Sequence, residues 1–329
     1  MAPAPPPWQL AIARLEGALP FLGAEVADGL ALASLRRLWR VHVRDFPQEN
    51  QGPEHNPGLE ASELTRSWYA AERRDFLSWI ARRGPPALAR AARLALAAKG
   101  DRESFASAFD PADRALARLD ALLPAHDPLA TLIEWAEQLR EDEIDFLELG
   151  SEDIVIEGKV FQRFAARGSA WAASLAAAMR PHVFSLGAAP LALAGLAPRS
   201  VFKAEPERPL PALLAEAIGS AAADVATDLA AVRLAFALGN ERLSGLYASS
   251  QAPAVRQLIA SLGPLTRAEL ARALGVTRRT ASQAAAALEK ADLATLPLVT
   301  MPWPSKRLPT LPEAPTAPKR PLGMERRST

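Results

Sequence analysis

The residues with the most legible chemistry run from Thr277 to Gln283, Thr-Arg-Arg-Thr-Ala-Ser-Gln. Thr277, Arg278, Arg279, Thr280, Ser282 and Gln283 can all form hydrogen bonds; two are cationic and none is acidic. Arginine and glutamine carry paired hydrogen-bonding groups that match the major-groove edges of guanine and adenine. Hydroxyls and the free amides of a helix start suit phosphate oxygens. Such a set acts together only if it projects from the first turns of one helix, held at a fixed angle by others.

The surrounding sequence supplies those elements. From Pro253 to Leu296 the chain reads as three helices. The first spans about Ala254 to Leu262, with Val255, Leu258, Ile259 and Leu262 on its apolar face, and Gly263-Pro264 stops it. Thr266 and Glu269 have the spacing of a capping box for the second, which runs through Leu270, Ala271 and Leu274. Gly275-Val276 turns the chain, Gly275 supplying the positive φ of a tight turn. Thr277 caps the third helix, Arg278 to about Lys290. Leu270, Leu274, Val276, Ala281 and Leu288 form the expected small core, and Ala271 is small enough for close helix approach. This is the spacing of a helix-turn-helix.

The segment LTRAELARALGVTRRTASQAAAALEKADLA resembles the winged helix-turn-helix of bacterial regulators of the MarR type. Gly275-Val276-Thr277 matches their turn, and Leu288-Glu289-Lys290-Ala291-Asp292-Leu293 matches their closing Leu-Glu-x-x-Gly-Leu, with Asp292 in place of the glycine. The resemblance covers about 45 of 329 residues. It implies a β-hairpin wing next, but only Leu293 to Thr300 are placed to supply it and Pro297 interrupts them, so the wing is expected to be short or missing. The whole-chain arrangement also resembles helical, helix-turn-helix-terminated proteins of rhizobia and their relatives.

Charge points the same way. The net charge is +1, yet residues 251–329 carry 12 basic and 5 acidic side chains while residues 1–250 carry 26 and 32. A basic C-terminal quarter on an acidic body is the pattern of a chain that meets a polyanion. Lys306, Arg307, Lys319, Arg320, Arg326 and Arg327 would add nonspecific phosphate contacts.

The rest of the sequence reads as all-α. It contains 70 alanines, abundant leucine, 2 tyrosines and few β-branched residues. The 32 arginines against 6 lysines fit a high-GC bacterial coding bias. Asp110-Pro111 and Asp127-Pro128 look like N-caps followed by proline, Gly84-Pro85-Pro86 ends one helix and opens another, and Gly239-Asn240 reads as a C-cap or kink. The apolar run from Val183 to Pro198 is expected to be a buried helix or helical hairpin. The expected organisation is a disordered stub (1–8), a helical body (9–200), a connecting helical segment (201–250), the helix-turn-helix (251–296) and a disordered basic, proline-rich tail (297–329). Phe46 to Ser62 is expected to be a long loop, and Ala197 to Pro211 an irregular boundary.

Other chemistry has less to build on. Cysteine is absent, which excludes disulfides, thiolate metal sites and cysteine nucleophiles. His42, His55, His126 and His182 lack metal-ligand spacing, and no P-loop, dinucleotide fingerprint or serine elbow occurs. The acidic stretch 134–157 places Glu137 and Glu141 one helical turn apart, but a solvated face or a docking surface for a basic partner, the chain's own C-terminus included, fits it better than a metal site. Trp68, Trp79, Trp135 and Trp171 are expected in the core, where some could line a ligand pocket. No signal peptide or membrane span is visible, so a cytoplasmic protein is expected.

The reading is therefore a cytoplasmic DNA-binding protein, not an enzyme, without cofactor or metal. Its third helix would read double-stranded DNA through Thr277, Arg278, Arg279, Thr280, Ser282 and Gln283. It would act as a homodimer, Pro209 to Leu238 being a dimerisation candidate, under an unknown small-molecule effector. Two alternatives stand beside it: a scaffold whose helix-turn-helix contacts protein, and a metal-dependent enzyme built on the acidic stretch.

Overall fold

A computed structural model describes residues 6–45, 70–148, 151–156, 159–164, 168–245 and 250–293. The architecture is all-α with one small hairpin. The helices are α1 (Pro7–Ala18), α2 (Ala24–Asp45), α3 (Ala70–Arg83), α4 (Pro86–Lys99), α5 (Asp110–Ala121), α6 (Pro128–Asp142), α7 (Ala170–Ala178), α8 (Leu210–Leu243), α9 (Ala252–Leu262), α10 (Arg267–Leu274) and α11 (Arg278–Lys290). None among the described residues is long and apolar enough to cross a membrane.

Local chemistry sets many of the boundaries. The Asp127 carboxylate accepts from Leu129 N (3.0 Å) and Ala130 N (3.1 Å), capping α6. Asp110 differs from expectation. It lies in the first turn of α5, Phe109 holds the cap position, and no side chain caps that end. Gly100 ends α4 with φ +77°, its N–H on Ala97 O and that of Asp101 on Leu96 O, both at 3.0 Å. Pro7 and Trp8, expected in a disordered stub, belong to α1, where Trp8 is buried against α8.

α2 is the central element, packed on α4, α7, α8 and α9. Arg37 fixes α2 to α8 through a two-pronged bond to Asp228 (2.7 and 2.8 Å) and a contact with Asp224 at 3.1 Å. The Asp228 bond raises the guanidinium's proton affinity further, more than burial lowers it. Trp39, Phe76, Phe109 and Trp171 surround the buried His42 with ring-centroid separations of 4.9–5.7 Å. Trp135 is fully enclosed and donates to Ala115 O at 2.9 Å. The tryptophans at 39, 79, 135 and 171 are thus packing residues, while Trp68 lies outside the described residues.

Two segments depart from the sequence reading, and two others are placed more closely. Val183 to Pro198 is not a helix. After a short 3₁₀ turn (Pro181–Phe184) it runs irregularly, yet Leu186, Leu191, Leu193 and Leu196 are buried. Gly187, Pro190, Gly195 (φ +87°) and Pro198 break the helical ladder but leave the hydrophobic drive to bury the leucines intact. Gly239 neither caps nor ends α8, which continues to Leu243. The acidic stretch extends past α6 into a 3₁₀ turn (Ile144–Phe146) and an antiparallel hairpin of β1 (Ser151–Ile156) and β2 (Lys159–Phe164), with Ile154 opposite Phe161. Ala197 to Pro211 is irregular up to the start of α8, as expected, apart from a 3₁₀ turn (Arg199–Phe202), and Arg140 donates to its carbonyls at Val201, Lys203 (2.8 Å) and Ala204 (3.3 Å).

Candidate nucleic-acid interface

α9, α10 and α11 pack on one another and share the body's core. That core is continuous from Trp8 to Leu293. α9 lies against α2 and α8, and α10 lies against α4. Two contacts hold α10 in place. Arg272 Nε donates to Ala98 O (2.8 Å), and the Lys99 ammonium meets the Glu269 carboxylate with both side chains largely buried.

Glu269 also completes the capping box of α10. Its N–H donates to Thr266 Oγ1 (3.2 Å), and its carboxylate accepts from Thr266 N (2.6 Å). Burial pushes this carboxyl's pKa up, but the Lys99 ammonium and the Thr266 donors outweigh burial and hold it below the ordinary value. At the far end Gly275 is left-handed (φ +63°), and Val276 N reaches back to Ala271 O at 3.0 Å. The chain reverses there and Thr277 caps α11, accepting from Thr280 N at 3.1 Å.

α11 buries Ala281, Ala284, Ala285 and Leu288, one stripe at three- and four-residue spacing. The opposite row, Arg279, Gln283, Ala286 and Lys290, is exposed, and the first turn has no acidic residue. Of the six residues singled out in the sequence, Thr277, Arg278, Arg279 and Gln283 are exposed, while Thr280 and Ser282 are half-buried. The hydroxyls of Thr277 and Thr280 bond each other at 2.9 Å, so their first role is to build the cap. Among the described residues Arg278 and Arg279 have no ion-pair partner.

Asp292 closes the unit. It is left-handed (φ +53°) at the place where the resembling pattern has glycine, and Leu293 N returns to Leu288 O at 2.9 Å. Arg242 of α8 donates to the Asp292 carbonyl (3.0 Å), and Arg256 of α9 donates to the Leu293 carbonyl (3.2 Å). Arg256 was not singled out from sequence, because it belongs to no motif. Residues 294–300, where a wing would lie, and the basic tail fall outside the described residues.

Asp142, Glu143, Asp145 and Glu148 of the acidic stretch find counter-charges within the body. Arg114 and Arg118 share Glu143, and Arg199 pairs with Glu148. Glu137 and Glu141 are exposed on α6. Among the described residues no three His, Asp or Glu side chains are grouped as metal ligands. His42 is buried, and His126 and His182 are exposed. The chain matches no family model, no curated protein and no solved structure.

Proposed function

We propose that the chain is a DNA-binding protein, a transcriptional regulator in which α9–α11 form a helix-turn-helix and α11 enters the major groove. The observation that carries this reading is the start of α11. Arg278, Arg279 and Gln283 stand exposed on a capped helix with no acid in its first turn. An exposed guanidinium without a carboxylate partner is ready for a phosphate or a guanine edge. The left-handed turn at Gly275 and the resemblance to MarR-type regulators support the same reading. One such helix buries too little surface for tight specific binding, so the proposal includes a homodimer bearing two reading heads.

Fluorescence anisotropy on a random-sequence duplex across a salt series tests it. The Arg278→Ala/Arg279→Ala protein is expected to bind more weakly, with a slope of log affinity against log salt reduced by about one unit for each lost phosphate contact. Absence of binding at low salt, or binding indifferent to both arginines, refutes the reading and leaves the face as a protein-docking surface.

A further inference from the structure

Between the C-terminal half of α8 and the first turn of α9 lies a cavity of about 360 Å³. Ala235, Phe236 and Leu243 supply apolar lining, and Asn240, Arg256 and Gln257 supply polar groups. Arg256 is the unusual member. It is only 5% exposed, yet among the described residues no carboxylate pairs with it. Its one hydrogen bond there runs from Nη1 to Leu293 O, and its Nε is enclosed without an acceptor. Burial and the like charge of Arg242 both push its pKa down. Glu25 is exposed at the rim, and its backbone carbonyl accepts from Gln257 Nε2 at 3.0 Å.

A buried guanidinium without a counter-ion is a standing cost to the fold. The fold nonetheless makes space around it. Gly239 faces Arg256, and even a methyl group there would only touch its Cγ, at 3.6 Å. The first turn of α9 lines the same space, and although Ser250 Oγ accepts from Ala252 N (3.3 Å) and Pro253 has no N–H, the positive end of the helix dipole adds to the field. We propose that this cavity binds a small organic anion. Its carboxylate or phosphate would engage the planar fork of Arg256, and its apolar body would lie against Phe236 and Leu243. Arg256 and Arg242 also hold the carbonyls that end α11. An anion that draws on Arg256 is therefore placed to act as an effector of that helix, a consequence that rests on the DNA-binding proposal, whereas the binding site itself does not.

The test is made on the full chain without DNA, so that its failure is separable from failure of the DNA reading. Calorimetry and thermal shift are measured with benzoate, phenyl phosphate and, as a neutral control, benzyl alcohol. The expected result is saturable binding and a raised Tm with at least one anion and not with the alcohol. Which anion binds decides between carboxylate and phosphate. Arg256→Met is expected to weaken binding at least about tenfold. Ala235→Leu keeps the charge but narrows the cavity at its apolar lining. It is expected to weaken binding too, and it decides the question if the Met variant does not fold. Native protein that binds neither anion at millimolar concentration overturns the proposal. So do a folded Met variant that binds as the native chain does, equal binding of the alcohol, and unchanged binding in Ala235→Leu.

Discussion

Glutamine at position 269 is expected to loosen α10 from the body at neutral pH and to make little difference in acid. In Glu269→Gln an amide oxygen can still accept from Thr266 N, so most of the capping box survives. What goes is the charge-assisted bond from Lys99, formed where the two side chains are only 15% and 12% exposed. At that exposure screening is slight, and losing a hydrogen bond to a charged group costs about 1.5–3 kcal/mol. Glu269→Ala also loses the reach-back to Thr266, for about 1 kcal/mol more. The pH dependence follows from the lowered pKa of the native carboxyl. A carboxyl whose folded pKa is depressed contributes stability above its unfolded pKa and loses it as pH falls through the folded value. The gap between native and glutamine proteins is therefore full at neutral pH. It starts to close below the ordinary glutamate value of 4.5 and vanishes once folded Glu269 is protonated. Urea unfolding followed by tryptophan fluorescence, from neutral pH down to about 3, reads both effects. Equal stabilities at neutral pH, or a gap that stays constant on acidification, would refute the role given to this pair.

The two left-handed positions are both expected to favour glycine over alanine. Gly275→Ala meets no atom within 4 Å, so its cost is purely conformational, about 1–2 kcal/mol in the urea midpoint, and no loss would contradict the turn. Asp292→Gly relieves the positive φ whereas Asp292→Ala keeps it; both lose the same carboxylate, so the glycine protein is expected to be the more stable of the two by about 1 kcal/mol. The Arg278→Ala/Arg279→Ala protein should unfold within about 0.5 kcal/mol of the native chain, because both side chains are exposed. A larger change in its unfolding curve would mean that these arginines serve the fold.

The legible parts of the molecule were those written in local chemistry. Thr266, Glu269, Gly275 and Thr277 each act within three or four residues of chain, and their spacing alone places two helix starts and the turn between them. Features that depend on distant partners were hidden. Lys99 and Glu269 are 170 positions apart, and nothing around either residue names the other. Val183 to Pro198 misled because hydrophobicity reports burial without reporting conformation, and here glycine and proline decided the latter. The hairpin at 151–164 was masked by the acids around it, although Ile154, Val155, Ile156, Val160 and Phe161 have strand character. Arg256 carried no signal. It sits beside the apolar face of α9 in sequence, and only the packing of α8 against that helix shows that its charge is buried.

These distant contacts decide how α11 is held. α9 is braced by α2 and α8, and α10 by α4, whereas α11 packs on α9 and α10. Its two ends are treated differently. The start is secured locally by Thr277, while the far end is held by Arg242 and Arg256 from two other helices. Any shift of α8 against α9 must therefore change the clamp on Asp292 and Leu293 while leaving the cap at Thr277 intact. The cavity beside Arg256 lies between those two helices. Occupancy there would act on the angle of α11 rather than on the chemistry of its exposed face. In the proposed DNA complex, a ligand should alter affinity equally for the native protein and for variants at Arg278 and Arg279. A ligand effect that disappeared with those arginines would instead place the coupling at the reading face itself.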